Sequence, residues 1–135
     1  MPCTGEPEPS PAAAVLVVED EDRLRVAVSK LLRRRGFEIL EAADGSAAID
    51  LLRASDRRID AMLLDMTLPG CSSREVVNVA WEAQPNMKVV LTSAYPEETV
   101  RTAVGATQTC RFIRKPFKVA MLLQTLENAL FSKAL

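Results

Sequence analysis

The stretch I-D-A-M-L-L-D-M-T-L-P, residues 59–69, decides how the rest of the chain reads. Ala61, Met62, Leu63 and Leu64 form an apolar run with no helical period, closed by Asp65 and then by Pro69-Gly70. Such a run predicts a buried strand that ends at a turn. In an open parallel sheet, ligands gather in the crevice outside the carboxyl ends of the strands. A carboxylate at that end is well placed for chemistry, although aspartate is also an ordinary turn residue after a strand. The flanking sequence has to decide between the two.

Upstream, Ala14 to Val18 (A-V-L-V-V) is apolar throughout and stops at Glu19-Asp20-Glu21-Asp22, the same pattern of a buried strand ending in carboxylates. From Asp22 to Arg35, Leu24, Ala27, Val28, Leu31 and Leu32 fall at helical spacing. Acids lead that helix, Arg33-Arg34-Arg35 close it in keeping with the helix dipole, and Gly36 is the stop. Phe37 to Ala42 is a second strand. Asp44-Gly45-Ser46 opens a second helix, which Ala47, Ala48, Ile49, Leu51 and Leu52 carry to about Ala54.

Downstream, a loop over Met66 to Ser72 leads into a helix from Ser73 to Gln84, with Val76, Val77, Ala80 and Trp81 on its apolar side, and Pro85-Asn86 breaks it. Met87 to Thr92 is a fourth strand, ending at Ser93-Ala94. Pro96-Glu97-Glu98 starts a fourth helix. Cys110 to Arg114 is a fifth strand, ending at Lys115-Pro116, and Val119, Leu122, Leu123, Leu126 and Leu130 mark a last amphipathic helix. Five β-α units in strict alternation predict an α/β domain. Its sheet is doubly wound, five-stranded and parallel, covered by helices on both faces as a three-layer sandwich.

Composition narrows the chemistry. The 135 residues suit one domain, with residues 1–13, rich in proline, read as a tail or linker and residues 14–135 as the domain. Seventeen basic and 18 acidic residues leave a net charge of −1, which gives no field favouring nucleic acid or an anionic membrane. No apolar run reaches the roughly 20 residues of a membrane span, so no membrane contact is expected of this chain. Three cysteines, Cys3, Cys71 and Cys110, lack metal-type spacing, and with no signal peptide they point to a reducing cytoplasm. The chain has no histidine, which removes Ser-His and Cys-His catalysis and any histidine metal site. Neither G-x-G-x-x-G nor G-x-x-x-x-G-K-[ST] occurs, so a nucleotide-binding doubly wound protein is poorly supported.

A parallel sheet delivers the end of every strand to one edge. That edge is expected to collect Glu19 and Asp20, Asp65, Ser93 and Lys115. Each pair of like charges at about 4 Å and an effective dielectric near 20 costs on the order of 4 kcal/mol. A divalent cation together with the Lys115 ammonium resolves that conflict, and an all-oxygen site with room for water suits Mg²⁺, with Mn²⁺ as the alternative ion. Aspartate is also a nucleophile toward phosphoryl groups. The constellation supports an aspartyl-phosphate at Asp65, with Lys115 and the Ser93 hydroxyl stabilising charge on the transferred oxygens.

V-L-V-V-E-D (15–20), L-L-D-M-T-L-P-G (63–70), L-T-S-A-Y (91–95) and R-K-P-F (114–117) together resemble the receiver domain of two-component response regulators, with its CheY-like, flavodoxin-like fold. The resemblance covers about Ala14 to Leu130. It implies that Asp65 takes a phosphoryl group from a phosphohistidine on a histidine kinase or histidine phosphotransfer domain, as one step of a phosphorelay. It implies that Asp20, Asp65 and the backbone carbonyl of Thr67 bind Mg²⁺ directly and that Glu19 acts through water. Ser93 and Phe112 would be the switch pair, Lys115 would contact the phosphoryl group, and the Lys115-Pro116 peptide would be cis.

Phosphorylation is then expected to reshape the face made by the fourth helix, fifth strand and fifth helix, with a phosphorylation-dependent homodimer as a further partnership. The wording of the motifs is most similar to receivers of hybrid sensor histidine kinases. No enzyme activity is expected of the chain beyond its own phosphorylation and dephosphorylation. Four departures from the family pattern stand out: Glu19 for the more usual Asp, Ser73 for Gly, Gly105-Ala106 farther than usual from Lys115, and Lys118 where the last helix wants a capping residue. Two other readings stay open. One is an interaction module that works without phosphorylation. The other is a phosphatase of the haloacid-dehalogenase type, which wants D-x-D where this chain has Thr67.

Overall fold

The structure, a computed structural model, describes residues 13–54, 56–66, 72–104 and 110–131. The expectations for the tail, for Thr67, for Cys71 and for Gly105-Ala106 lie outside those residues. In chain order the elements are β1 (Ala14–Val18), α1 (Asp22–Arg34), β2 (Glu38–Ala42), α2 (Gly45–Ala54) and β3 (Ala61–Asp65). They continue with α3 (Ser73–Ala83), β4 (Lys88–Ser93), α4 (Glu97–Val104), β5 (Arg111–Arg114) and α5 (Val119–Phe131). All strand pairings are parallel, in the order β2-β1-β3-β4-β5.

Side chains alternate across the sheet, and the two faces build two cores. Leu16, Val18, Met62, Leu64, Val89 and Leu91 point toward α2, α3 and α4, where Ile49, Leu52, Val76, Val77, Ala80 and Val100 meet them. Val15, Val17, Ala61, Leu63, Val90 and Ile113 point the other way, onto Val28 and Leu32 of α1 and Leu122, Leu123 and Leu126 of α5. Because both faces are covered, β1 and β3 are buried at every position, which is why they read as continuous apolar runs rather than as alternating ones.

The helix ends follow local chemistry. Gly36, just past α1, takes a φ of 95°, a left-handed conformation that glycine adopts without strain. Asp44 Oδ1 accepts from the Ala47 N–H at 2.7 Å at the start of α2, and Ser72 Oγ accepts from the Glu75 N–H at 3.2 Å as the cap of α3. The α1 face differs from its periodic reading at two places. Ala27 is exposed, whereas Ser29 is fully buried beside Val28 and Leu32. The helix is rotated slightly from where its apolar residues alone would set it, so that a small hydroxyl residue faces the sheet. Phe37 is buried but precedes β2 instead of opening it.

Candidate functional site

Register brings the site together. Val18 pairs with Leu64, so Glu19 and Asp20 leave β1 directly beside Asp65 at the end of β3. Asp65 pairs with Thr92 and Ser93 with Arg114, so Ser93 lies one residue further along at the end of β4 and Lys115 two further, just past the end of β5. Backbone hydrogen bonds hold these exits in place: Glu19 N–H to the Ala42 carbonyl at 3.1 Å, Met66 N–H to Thr92 at 2.9 Å and Lys115 N–H to Ser93 at 2.8 Å. The Lys115-Pro116 peptide is cis.

Glu19, Asp65 and Ser93 are 6%, 2% and 0% exposed, whereas Asp20 is open to solvent. One carboxylate oxygen from each of Glu19, Asp20 and Asp65 lies within 4.8 Å of the others. The Lys115 ammonium sits over this group, 2.9 Å from Glu19 Oε1 and 3.3 Å from Asp65 Oδ2. The other Glu19 oxygen accepts from the Glu21 N–H at 3.1 Å. Ser93 Oγ accepts from the Tyr95 N–H at 2.9 Å. Phe112 is half-buried on the α2-α3-α4 side of the sheet.

The electrostatics follow from crowding. Burial raises the Glu19 pKa from its ordinary 4.5 to about 7. The neighbouring Asp65 carboxylate adds to the rise, and the Lys115 ammonium and the Glu21 N–H oppose it. Burial alone would lower the Lys115 pKa, but its hydrogen bond to Glu19 and the charge of Asp65 outweigh that and raise it, so the lysine stays an ammonium. A hard cation held by oxygens fits this donor set: two buried acids and one exposed acid, open to water on the Asp20 side.

Two contacts were not legible in the sequence. Glu19 is bound to Lys115 itself, a reach the extra methylene of glutamate allows and which motif position does not reveal. Ser73, one of the four departures noted above, is buried, and its hydroxyl points to the Asp65 carbonyl at 3.4 Å. Beside Lys115, the residues Glu21, Leu24, Ala94, Pro116 and Phe117 line an open cavity of about 380 Å³. Clefts of about 430 and 770 Å³ lie at the opposite end of the sheet, around Asp60. Among the described residues, no other group of acids could hold a metal ion.

Residues 15–127 match the response regulator receiver domain model. A cyclic di-GMP phosphodiesterase of Thermotoga maritima is 36% identical over 107 residues, which are 78% of this chain and 28% of that protein. The structure of a response regulator receiver protein from Sinorhizobium medicae superposes with a TM-score of 0.80 at 25% identity, covering 90% of this chain and 96% of that one. The receiver domain of the hybrid histidine kinase CckA superposes with a TM-score of 0.74 at 29% identity, covering 87% and 99%. The chain spans 28% and 11% of the length of the first two curated relatives it matches.

Proposed function

Because this chain belongs to the response regulator receiver domain family, we propose that Asp65 is the phosphoryl acceptor of a two-component phosphorelay. The observation that carries the reading is the buried Asp65 carboxylate, grouped with those of Glu19 and Asp20 and held 3.3 Å from the Lys115 ammonium.

A carboxylate oxygen of Asp65 attacks the phosphorus of a partner's phosphohistidine. The new O–P bond forms as the N–P bond breaks, and the imidazole leaves with the electron pair. The chain has no histidine, so the donor must be another protein or another domain: a histidine kinase or a histidine phosphotransfer domain. That imidazole would approach by the open cavity beside Lys115. Burial of Asp65 keeps water from most of its surface, and Lys115 stabilises charge on the transferred oxygens. Asp20, Asp65 and the Thr67 carbonyl would hold Mg²⁺ or Mn²⁺ directly and Glu19 through water, and the ion when bound neutralises the crowded carboxylates and the incoming phosphoryl charge.

The acyl phosphate carries about −1.5 to −2 charge where the free carboxylate carried one, so the sheet edge gains up to about one further negative charge and three acceptor oxygens. Ser93 then gives up its bond from the Tyr95 N–H and turns toward the phosphoryl group, Phe112 moves inward, and the α4-β5-α5 face changes shape. A partner, a tethered domain or a second copy reads that face. The likeness to the CckA receiver supports a place in a hybrid histidine kinase, and the composition supports a cytoplasmic one. Among the described residues, no helix is long and apolar enough to cross a membrane.

Radiolabelled acetyl phosphate with Mg²⁺ tests the assignment. The wild-type protein is expected to take up acid-stable, hydroxylamine-sensitive label, and Asp65→Asn to take up none. Equal labelling of the variant would refute it.

A further inference from the structure

We propose that Arg25 is a positioning residue for the divalent cation site: its guanidinium fixes the Glu19-Asp20 turn from behind. This inference rests on the receiver reading above. One guanidinium joins three elements. Nη1 donates to the Glu19 backbone carbonyl at 3.0 Å, Nη2 pairs with Asp22 at 2.8 Å, and Nε pairs with Glu41 of β2 at 3.3 Å. Only 15% of the Arg25 side chain is exposed, and Glu41 also pairs with Arg33 at 3.2 Å. The Glu19 residue is therefore held at both ends, its N–H by the Ala42 carbonyl and its C=O by Arg25.

The consequence is directional. With Glu19 pinned, its side chain turns inward to Lys115, and the next residue, Asp20, must face solvent on the same side as Asp65. Freed at its carbonyl, this short turn between β1 and α1 can rotate and separate the two carboxylates. The planar fork of arginine suits the task, since a lysine supplies one point charge and cannot span three acceptors in fixed directions.

Charge and geometry predict opposite signs, which makes the inference testable. Arg25 is a cation close to an acidic site, so by charge alone its removal would tighten cation binding. By positioning, removal weakens it. Mn²⁺ binding to the purified chain, followed by calorimetry and by the paramagnetic signal of free Mn²⁺, separates the two. Arg25→Ala is expected to raise the Mn²⁺ dissociation constant roughly tenfold, within the range found for outer partners of metal ligands. Arg25→Lys, which keeps the charge and guards against a folding defect, is expected to lie near Arg25→Ala. At saturating Mn²⁺ both should reach the wild-type extent of beryllofluoride binding, so that the loss lies in cation half-saturation alone. Equal or tighter Mn²⁺ binding by both variants overturns the inference. Wild-type Mn²⁺ affinity that survives Asp20→Asn would instead overturn the assignment of the cation to the Glu19-Asp20-Asp65 group, on which the inference rests.

Discussion

Glu19 is the residue on which this site departs most from a simple acidic pocket. Its pKa is raised from 4.5 to about 7, so the folded state favours its protonated form more than the unfolded chain does. The stability this contributes is fully present below about pH 4.5 and is lost as pH rises through 7. In EDTA the protein is therefore expected to lose on the order of 1–3 kcal/mol of unfolding free energy between pH 5 and 7.5. Glu19→Gln should flatten that slope, and saturating Mg²⁺ should flatten it as well, since a bound cation favours the carboxylate. Urea melts across pH check both, and a slope retained in Glu19→Gln would place the titration elsewhere. The position of Glu19 was legible from the acidic run at the end of the first strand. Its contact with Lys115 was not, because two residues 96 apart in sequence meet only through strand register.

At the scale of elements, two substitutions separate local conformation from packing. Gly36 ends α1 at a φ of 95°, and a Cβ placed there meets nothing within 4 Å. The cost of Gly36→Ala is thus conformational alone, about 1–2 kcal/mol, read as a lower urea midpoint at unchanged m-value. Ser29 presents the opposite case. Its hydroxyl is fully buried on α1 and finds no hydrogen-bond partner among the described residues. Ser29→Ala removes that unpaid desolvation and is expected to stabilise the fold by about 1 kcal/mol, and a destabilised variant would show that the hydroxyl is satisfied in solution. The glycine stop was legible because it is a local backbone requirement. The buried Ser29 was not, since apolar periodicity locates a helix face only to within one residue either side.

For the whole molecule, the strand order β2-β1-β3-β4-β5 places the site where β1 and β3 diverge toward opposite neighbours, the crevice that opens in such sheets. The alternation of five strands and five helices made the architecture readable, and with it the edge where the carboxylates gather. The same arrangement sets stability against function. Folding must bring Glu19, Asp20 and Asp65 to within 4.8 Å of one another, and the single ammonium of Lys115 does not balance three acids. Asp20, the exposed member, can lose its charge without opening a cavity. Asp20→Asn is expected to raise the unfolding free energy in EDTA by about 1 kcal/mol, roughly 3–5 °C in melting temperature for a chain of this size. Mg²⁺ at ten times its dissociation constant should add about 1.4 kcal/mol to the wild-type protein and little to the variant. The order of the two melting temperatures should therefore draw level or reverse on adding Mg²⁺. Equal Mg²⁺ stabilisation of both proteins would show that the cation is bound without Asp20 and that the crowding at this edge is relieved in some other way.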